Sequence, residues 1–485
     1  MPFLANREFG LDKHTKPTAC ALPTAAELRD ALTAAEGSEV RAQLAMLFDE
    51  GTFVETAAFT KRGYSDFITT DKMNEFEGVI TGYGAIDGKL VFAFAEDASR
   101  MGGAIDERHA KKICDIYSMA MSNGSPVVAI FNSTGTDIFE GTVGLASYGR
   151  IMSAVAKASG VIPQIAFVAG KCIRTAAAIA AMFDFTVKTD DAIYYVSSQN
   201  EEKCDSTTAF CGTAAQCSSY IRSLISFLPQ NAADGVIALE NASDNLNRKL
   251  GELDFSGEAL SAISVIADNG VFYEIGNDKS NLTLAFATIG GVKCGIVATS
   301  FAKDEGRISS KDAGRAARFV NFCDSFSVPV LTLVDSLGLT LNSECDASAF
   351  SAELAKLAYA YASSTTPKVT VILGHAIGAS FVLLGSKALG ADIVYALDDA
   401  EIGALPAESG VAFAWDKYIT EENSREKLIN EWKSTVSSPS VAASSGEIDD
   451  IIGTNELRMR ICSALLMLSA KGSYSDSAKR KVLPI

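Results

Sequence analysis

The chain has 485 residues, of which 48% are hydrophobic and 21% charged, a composition typical of folded rather than disordered proteins. This length is too great for one compact core and favours two domains of ordinary size. The formal net charge of -17 argues against a nucleic-acid partner, because phosphate binding relies on clustered lysine and arginine.

The N-terminal segment and the cysteines indicate a compartment. MPFLANREFGLDKH has no apolar run of the kind that a secretory signal needs, so we expect a cytoplasmic protein. The ten cysteines form no C-x-x-C pair, and even Cys204, Cys211 and Cys217 lack zinc spacing. We therefore predict buried thiols in a reducing compartment and no metal. The most membrane-like stretch, residues 369–385, contains His375 and three glycines and predicts a strand, a turn and a helix.

An internal repeat organises the chain. Three pairs of segments match at offsets of 203, 203 and 204 residues: IDGKLVFAF with IGGVKCGIV, SPVVAIFNSTG with VPVLTLVDSLG, and IAFVAG with VTVILG. Each copy predicts strands that alternate with helices, with right-handed crossovers and functional loops at the strand ends. We therefore predict an α/β fold of two duplicated halves, residues 1–240 and 241–485. The polar segment 229–257 is the candidate link, and a final amphipathic helix around ELRMRICSALLML should pack on the second half.

A charged pair marks the end of one predicted strand. In GKCIRTAAA, an apolar run ends at Gly170 and an alanine-rich helix begins, which predicts a strand, a turn and a helix. Lys171 and Arg174 are three residues apart and would share a face of the first helical turn, where the helix dipole disfavours cations. We expect a negatively charged group near them.

Acid–base chemistry has few candidates here. The sequence contains only three histidines, His14, His109 and His375, and no Ser-His-Asp context, P-loop or H-E-x-x-H motif. His109, in ERHAKKIC, is predicted to lie on a helix surface. An enzyme with this sequence would work by positioning and by backbone stabilisation of an oxyanion, which need glycine turns rather than reactive side chains.

Long segments of the chain resemble a known family. They are EGVITGYGAIDGKLVFAFAEDASRMGG, LASYGRIMSAVAKASGVIPQIAFVAG, GRAARFVNFCDSFSVPVLTLVDSLG, TPKVTVILGHAIGAS and GADIVYALDDAEIGAL. From about Leu44 onward the chain resembles the carboxyltransferase subunit of biotin-dependent acyl-CoA carboxylases and of sodium-pumping acyl-CoA decarboxylases. The resemblance implies two tandem ClpP/crotonase-like halves, the first holding acyl-CoA and the second carboxybiotin. It also implies that the two sites face each other across a dimer, within a homo-hexamer built as a trimer of dimers.

The resemblance also implies a reaction and its residues. Carboxyl would pass between biotin and the carbon alpha to a thioester, and paired backbone amides would stabilise an enolate. The implied catalytic positions are Arg174 and Thr175 in the first half and Gly378 and Ala379 in the second. The implied ligand-binding positions are Gly135, Thr136, Gly170 and Lys171 in the first half and Gly338 and Ile377 in the second. On this basis Arg174 of one chain should lie opposite Gly378 of another.

The first-half motifs depart from the family pattern. A loop that usually contains Asp-Ser-Gly-Gly-Ala-Arg is NSTGTD here, with Thr134 in place of a glycine and Asp137 in place of the arginine. A helix start that usually contains Cys-Ala-Gly-Gly-Ala is CIRTA, with Arg174 and Thr175 in place of the glycine pair. The second-half pair is changed less, so the altered side is the acyl-CoA side. Because one loop loses a cation and the other gains one, we predict an ion pair between Asp137 and Arg174.

Three functions stay open at this point. In the first, which we favour, the chain is an active carboxyltransferase subunit, and Lys171 or Arg174 pairs with a substrate carboxylate or a CoA phosphate. In the second, it is a non-catalytic subunit that assembles with an active paralogue. In the third, it is a crotonase-type hydratase, isomerase or hydrolase, although such enzymes are usually single units with an acid–base side chain.

The expected partners follow from what the sequence does not contain. It has no biotinyl Met-Lys-Met segment and no ATP-binding glycine-rich motif, so biotin is expected on a separate biotin carboxyl carrier protein. The further partner would be a biotin carboxylase or a membrane decarboxylase subunit, and the latter would bring the protein to the membrane surface. The lack of a cysteine zinc ribbon disfavours the split bacterial acetyl-CoA carboxylase type.

Overall fold

Two mixed β-sheets, one from each half of the chain, form the centre of the protein. The computed structural model describes residues 24–34, 38–61, 76–197, 208–234, 242–250, 257–276, 280–340, 347–469 and 471. The predicted boundary at residue 240 falls outside these ranges, as does much of the predicted link. The division of the chain at that point therefore stays a prediction.

The first half contains nine described strands and six described α-helices. The strands are β1 Val54–Thr56, β2 Val79–Ile86, β3 Lys89–Glu96, β4 Val127–Phe131, β5 Gln164–Val168, β6 Lys171–Ile173, β7 Phe185–Thr189, β8 Ile193–Tyr195 and β9 Thr208–Gly212. The helices are α1 Ala25–Ala34, α2 Glu39–Leu47, α3 Glu107–Asn123, α4 Thr142–Ala158, α5 Thr175–Ala181 and α6 Ala214–Phe227.

The second half contains eight described strands and eight described α-helices. The strands are β10 Phe272–Ile275, β11 Leu282–Ile289, β12 Val292–Thr299, β13 Val330–Ser336, β14 Lys368–Ile377, β15 Ile393–Leu397, β16 Glu401–Gly403 and β17 Asp450–Ile452. The helices are α7 Ala259–Ile266, α8 Ser310–Ser325, α9 Ala347–Ser363, α10 Ala379–Leu383, α11 Ala407–Gly410, α12 Arg425–Thr435, α13 Pro439–Ser444 and α14 Leu457–Leu468.

The two sheets have the same topology. The first has the order β1-β2-β3-β4-β5-β7-β9, and the second has β10-β11-β12-β13-β14-β15-β17. The register also repeats, because Val79 lies opposite Glu96 in the first sheet and Leu282 lies opposite Thr299 in the second, both 203 residues later. Each half adds a short parallel ladder, β6 with β8 and the end of β14 with β16. The predicted duplication is confirmed.

Alternate side chains of each sheet pack into different cores. In β4, Val128 and Ile130 face a central core that both halves share, whereas Phe131 faces a separate core under α3, α4 and α5. The central core contains apolar residues of α2, α6, α8 and α9. The outer face of the second sheet packs against α7 and α14. The prediction that the last helix packs on the second half is therefore confirmed.

His109 departs from its predicted place on a helix surface. It lies on α3, whose first turn is capped by the Asp106 side chain, but its imidazole is fully buried. Its Nδ1 lies 3.6 Å from Oε1 of the buried Glu77. The prediction was wrong because α3 turns this position toward the sheet, and the charged residues around it in the sequence hid that apolar face.

Candidate functional site

Two strand ends meet at the predicted first-half site. Asn132 follows β4, and its Oδ1 accepts a hydrogen bond of 3.1 Å from the backbone N–H of Lys171. The N–H of Ser133 in turn donates to the carbonyl of Lys171 at 2.8 Å. Gly170 is required beside them, because a Cβ there would lie 2.3 Å from Oδ1 of Asn132. These contacts fix the loop after β4 against the turn that precedes α5.

The second half repeats this junction with different side chains. Asp335, near the end of β13, accepts a hydrogen bond of 2.8 Å from the backbone N–H of His375. A Cβ on Gly374 would lie 2.6 Å from the same Oδ1. Gly338 lies beside Ile377, because a Cβ on Gly338 would lie 3.5 Å from the Ile377 carbonyl. The predicted second-half positions are thus brought together.

The loops after β4 and β13 have the same internal structure. Gly135 has φ 119° and Gly338 has φ 115°, values that favour glycine. The N–H of each glycine donates a hydrogen bond to the serine hydroxyl two residues earlier, at 3.1 Å in both halves. Thr136 continues the first loop and forms an isolated parallel bridge with Ile105. Both predicted glycine positions therefore serve a tight loop beside the turn.

The turn before each short helix has an unusual backbone. Arg174 precedes α5 with φ 55° and ψ -121°, and Gly378 precedes α10 with φ 59° and ψ -124°. Residues other than glycine rarely adopt this backbone conformation, so the backbone of Arg174 is held in a geometry that favours glycine. The duplicated fold dictates this geometry, and the substitution of arginine for glycine does not relax it.

Backbone hydrogen bonds decide which amides of these turns are free. The N–H of Arg174 donates to the Tyr195 carbonyl, and the N–H of Gly378 donates to the Gly403 carbonyl, each at 2.8 Å. Within the described ranges, the following N–H groups, those of Thr175 and Ala379, have no acceptor. Each half thus presents a free amide directly after the strained position. The other amide of each predicted pair is already used within the fold.

The first-half turn is positively charged. Lys171 and Arg174 are both exposed, and neither side chain forms an ion pair with another residue that the structure describes. The predicted ion pair between Asp137 and Arg174 is wrong. The N–H of Asp137 donates to the Ile105 carbonyl at 2.9 Å, and its side chain is buried, whereas the Arg174 side chain is exposed. The side chains of Lys171 and Arg174 are therefore accessible to an anionic ligand.

A buried carboxyl lies directly beneath this turn. Oε2 of Glu96, at the end of β3, accepts a hydrogen bond of 3.0 Å from the backbone N–H of Asn132. Burial raises the pKa of Glu96 to about 8, because the interior disfavours the charged form. The equivalent position in the second half is Thr299, whose hydroxyl accepts the N–H of Asp335 at 2.7 Å. Of these two equivalent positions, only Glu96 in the first half has an acidic side chain. This residue was not identified from the sequence.

The second-half turn has an imidazole and a carboxylate side by side. Nδ1 of His375 lies 2.8 Å from Oδ1 of Asp335, and its ring stacks on Phe301 with centroids 4.6 Å apart. The hydrogen bond to Asp335 raises the pKa of His375. Sequence reasoning placed His375 in a strand and a turn but missed its partner, because the two residues are 40 positions apart.

Metal-binding clusters and membrane-spanning helices are both absent from the described residues. No group of three or more histidine, cysteine, aspartate or glutamate side chains there could hold a metal ion. Cys204, one of the three cysteines considered in the sequence, lies outside the described residues. None of the described helices combines the length and apolar character that a membrane crossing needs.

The comparison with protein families defines the class of protein. A family model described as the carboxyl transferase domain matches residues 34–199 and 210–483. The chain belongs to the carboxyl transferase family. Membership of this family agrees with the resemblance inferred from the sequence segments. The predicted fold of two tandem crotonase-like halves is confirmed.

Individual relatives cover nearly the whole chain. The methylmalonyl-CoA decarboxylase subunit alpha of Propionigenium modestum is 33% identical, over 92% of this chain and 93% of the relative. The propionyl-CoA carboxylase beta chain of Cereibacter sphaeroides is 32% identical over the same shares. Among solved structures, the transcarboxylase 12S hexamer with methylmalonyl-CoA and methylmalonic acid bound has a TM-score of 0.82 at 30% identity. That match covers 94% of this chain and 95% of the other.

Proposed function

We propose that this chain is a carboxyltransferase subunit that moves a carboxyl group between biotin on a carrier protein and the alpha carbon of an acyl-CoA. The observation that carries the proposal is the repeated turn, with a free amide at Thr175 in one half and at Ala379 in the other. Two equivalent sites in one chain suit a reaction with two ligands. None of the matched relatives favours the non-catalytic alternative.

The first half is the acyl-CoA side in this proposal. The free N–H of Thr175 would donate to the thioester oxygen as negative charge develops there, which is how a fixed backbone amide stabilises an enolate. Arg174 and Lys171 would pair with anionic groups of the ligand, either CoA phosphates or a second carboxylate on the acyl chain. The absence of described ion-pair partners leaves both cations available for this role.

The second half is the biotin side. Biotin on its carrier protein would donate or accept the carboxyl group there. The free N–H of Ala379 would donate to an oxygen of this ligand, and Gly338 and Ile377 would shape the adjoining surface. A biotin carboxylase or a decarboxylase subunit would complete the enzyme and set the direction of the reaction. These partners, and a cytoplasmic location with contact to the membrane through a decarboxylase partner, are part of the proposal.

Exposed apolar side chains support a dimer in which the two kinds of site meet. Ile138, directly after the first-half loop, is 78% exposed, and Phe413, after β16 and α11, is 86% exposed. In the proposed dimer a neighbouring chain would cover both side chains. We infer a homo-hexamer, as in the transcarboxylase 12S crystal structure, in which Arg174 of one chain lies opposite Gly378 of another.

The test is transfer of a labelled carboxyl group from an acyl-CoA that carries an alpha carboxyl to biotin or its carrier protein by the purified chain. Arg174→Gly and Lys171→Ala should each raise KM for acyl-CoA about tenfold, equivalent to about 1.4 kcal/mol. Lys111→Ala, which removes an exposed cation of α3 paired with Asp115, is the matched control and should leave KM unchanged.

Three results would contradict parts of the proposal. No transfer by the wild type with carrier protein and a panel of acyl-CoAs would contradict the function itself. Acyl-CoA hydration or hydrolysis without biotin would favour a crotonase-type enzyme. A higher rate of transfer in Arg174→Gly would show that Arg174 obstructs the site instead of binding the substrate.

A further inference from the structure

We propose that His375 binds the ligand of the second-half site, donating a hydrogen bond from Nε2 to an oxygen of the carboxylated biotin head group. Asp335 is the positioning residue that fixes the imidazole. The proposal rests on the proposed function, because it takes the second half as the biotin side. It assigns a specific side chain to a site that otherwise offers backbone groups.

The imidazole is held from two directions. Nδ1 of His375 faces Oδ1 of Asp335 at 2.8 Å, and the same oxygen accepts the backbone N–H of His375 at 2.8 Å. The ring lies nearly parallel to Phe301, with an angle of 17° between the planes. A ring with an acid at one edge and an aromatic face against it has little rotational freedom. Its geometry is therefore set before a ligand arrives, as a binding site requires.

The opposite edge of the ring is open. Since Nδ1 faces Asp335, the other nitrogen, Nε2, lies at the far end of the imidazole. The His375 side chain is 31% exposed, and no other group in the described ranges lies within hydrogen-bonding distance of Nε2. His375 precedes the turn residue Gly378 by three positions and lies on β14, which ends directly before that glycine. A donor is thus placed at the rim of the site.

The charges around the ring favour its protonated form. Asp335 on β13 is the nearest acid, and Glu401 on β16 is paired in register with His375. Lys433 on α12 opposes them, but it lies 3.5 Å from Glu401 and 4.0 Å from Glu408, which offset its charge. The hydrogen bond to Asp335 outweighs partial burial and raises the pKa of His375. An imidazolium donates to an oxygen from Nε2 while Nδ1–H is held by the carboxylate.

The first half has different residues at all three positions that form this histidine site. Where the second half has Phe301, Asp335 and His375, the equivalent first-half positions contain Ala98, Asn132 and Lys171. The backbone hydrogen bond is kept in both halves, so folding does not require the acid or the ring. The three side chains differ together, which points to a ligand of different chemistry in the second site.

The first test measures transfer to biotin methyl ester at saturating acyl-CoA between pH 6 and pH 9. His375→Gln should raise KM for biotin methyl ester about tenfold, leave KM for acyl-CoA within twofold, and abolish the fall in kcat/KM as the imidazolium deprotonates at high pH. Asp335→Asn should move that fall to lower pH, because it removes the group that raises the pKa. Unchanged biotin KM and pH profile in His375→Gln would overturn the proposal.

A second test does not depend on activity. Diethyl pyrocarbonate should modify His375 in the full-length protein, whereas the buried His109 should resist, and peptide mapping by mass spectrometry separates the two. Biotin methyl ester should protect His375 at least threefold, and acyl-CoA should not. Protection without carboxyl transfer would support the site and contradict the proposed function. Transfer without protection, and with an unchanged biotin KM in His375→Gln, would contradict the site alone.

Discussion

Arg174 and Gly378 have the same backbone conformation, within 4° in φ and 3° in ψ, although one is an arginine and the other a glycine. Each precedes a short helix, and each donates its N–H to a carbonyl of the neighbouring short strand, that of Tyr195 or that of Gly403. The turn geometry is thus a property of the duplicated fold. The first half maintains it with a residue that is strained there.

The backbone strain at these turns predicts how substitutions of Arg174 and Gly378 change the stability of the protein. Arg174→Gly should increase the free energy of unfolding by about 1 kcal/mol, because relief of backbone strain exceeds the entropy that glycine adds to the unfolded chain. Gly378→Ala should lower it by about 1 to 2 kcal/mol, since the nearest atom to a new Cβ is 3.4 Å away and strain is the main cost. Chemical denaturation of both variants measures this. A loss of stability in Arg174→Gly would contradict the role assigned to its backbone.

Gly170 gives a steric prediction. A Cβ at this position would lie 2.3 Å from Oδ1 of Asn132, so Gly170→Ala should push the two loops apart and cost about 2 kcal/mol. Gly149→Ala is the matched control, because that glycine is exposed within α4 with no atom within 4 Å of a new Cβ. It should be neutral or stabilise by up to about 1 kcal/mol. Equal effects of the two changes on the midpoint of urea unfolding would contradict the prediction.

The buried Glu96 gives a prediction of pH dependence. Its pKa rises from 4.5 to about 8 on folding, so the folded state binds the proton more tightly and stability falls as pH increases between these values. Glu96→Gln keeps an acceptor for the Asn132 N–H and does not ionise. It should match the wild type near pH 4.5 and exceed it by more than about 1 kcal/mol at pH 8.5.

The measurement for Glu96 is a set of denaturation curves across this pH range. Glu431→Gln, at an exposed position of α12, is the control and should keep the pH dependence of the wild type. Parallel curves for the wild type and Glu96→Gln would show that Glu96 ionises normally in the folded protein.

A buried ion pair connects α14, the last described helix, to the rest of the second half. Arg458 of α14 is fully buried, pairs with Asp268, and donates from Nε to the Ile266 carbonyl at 3.1 Å. Arg458→Met should cost about 3 to 5 kcal/mol, because it leaves the Asp268 carboxylate buried without its cation. Arg460→Met, which removes exposed ion pairs with Asp450 and Glu456, should change stability by less than about 1 kcal/mol. Similar thermal unfolding of the two variants would contradict the role of the buried pair.

Sequence patterns alone predicted the duplicated architecture and the positions of the candidate turns. Apolar strands recur with a fixed offset, and hydrophobic periodicity is a local property that needs no knowledge of tertiary contacts. The glycines at 170, 374, 135 and 338 were also visible as turn signals, and the structure shows the close approach or the positive φ that requires each of them.

Tertiary structure alone decided which side chains of those turns meet. The exchange of charges between two loops suggested a pair between Asp137 and Arg174, but the fold buries the aspartate and leaves the arginine exposed. The dyad of His375 and Asp335 arises because parallel strands β13 and β14 end at the same edge of the sheet. Contacts of this kind depend on strand register and local backbone geometry over some 40 residues of chain, which local sequence patterns do not encode.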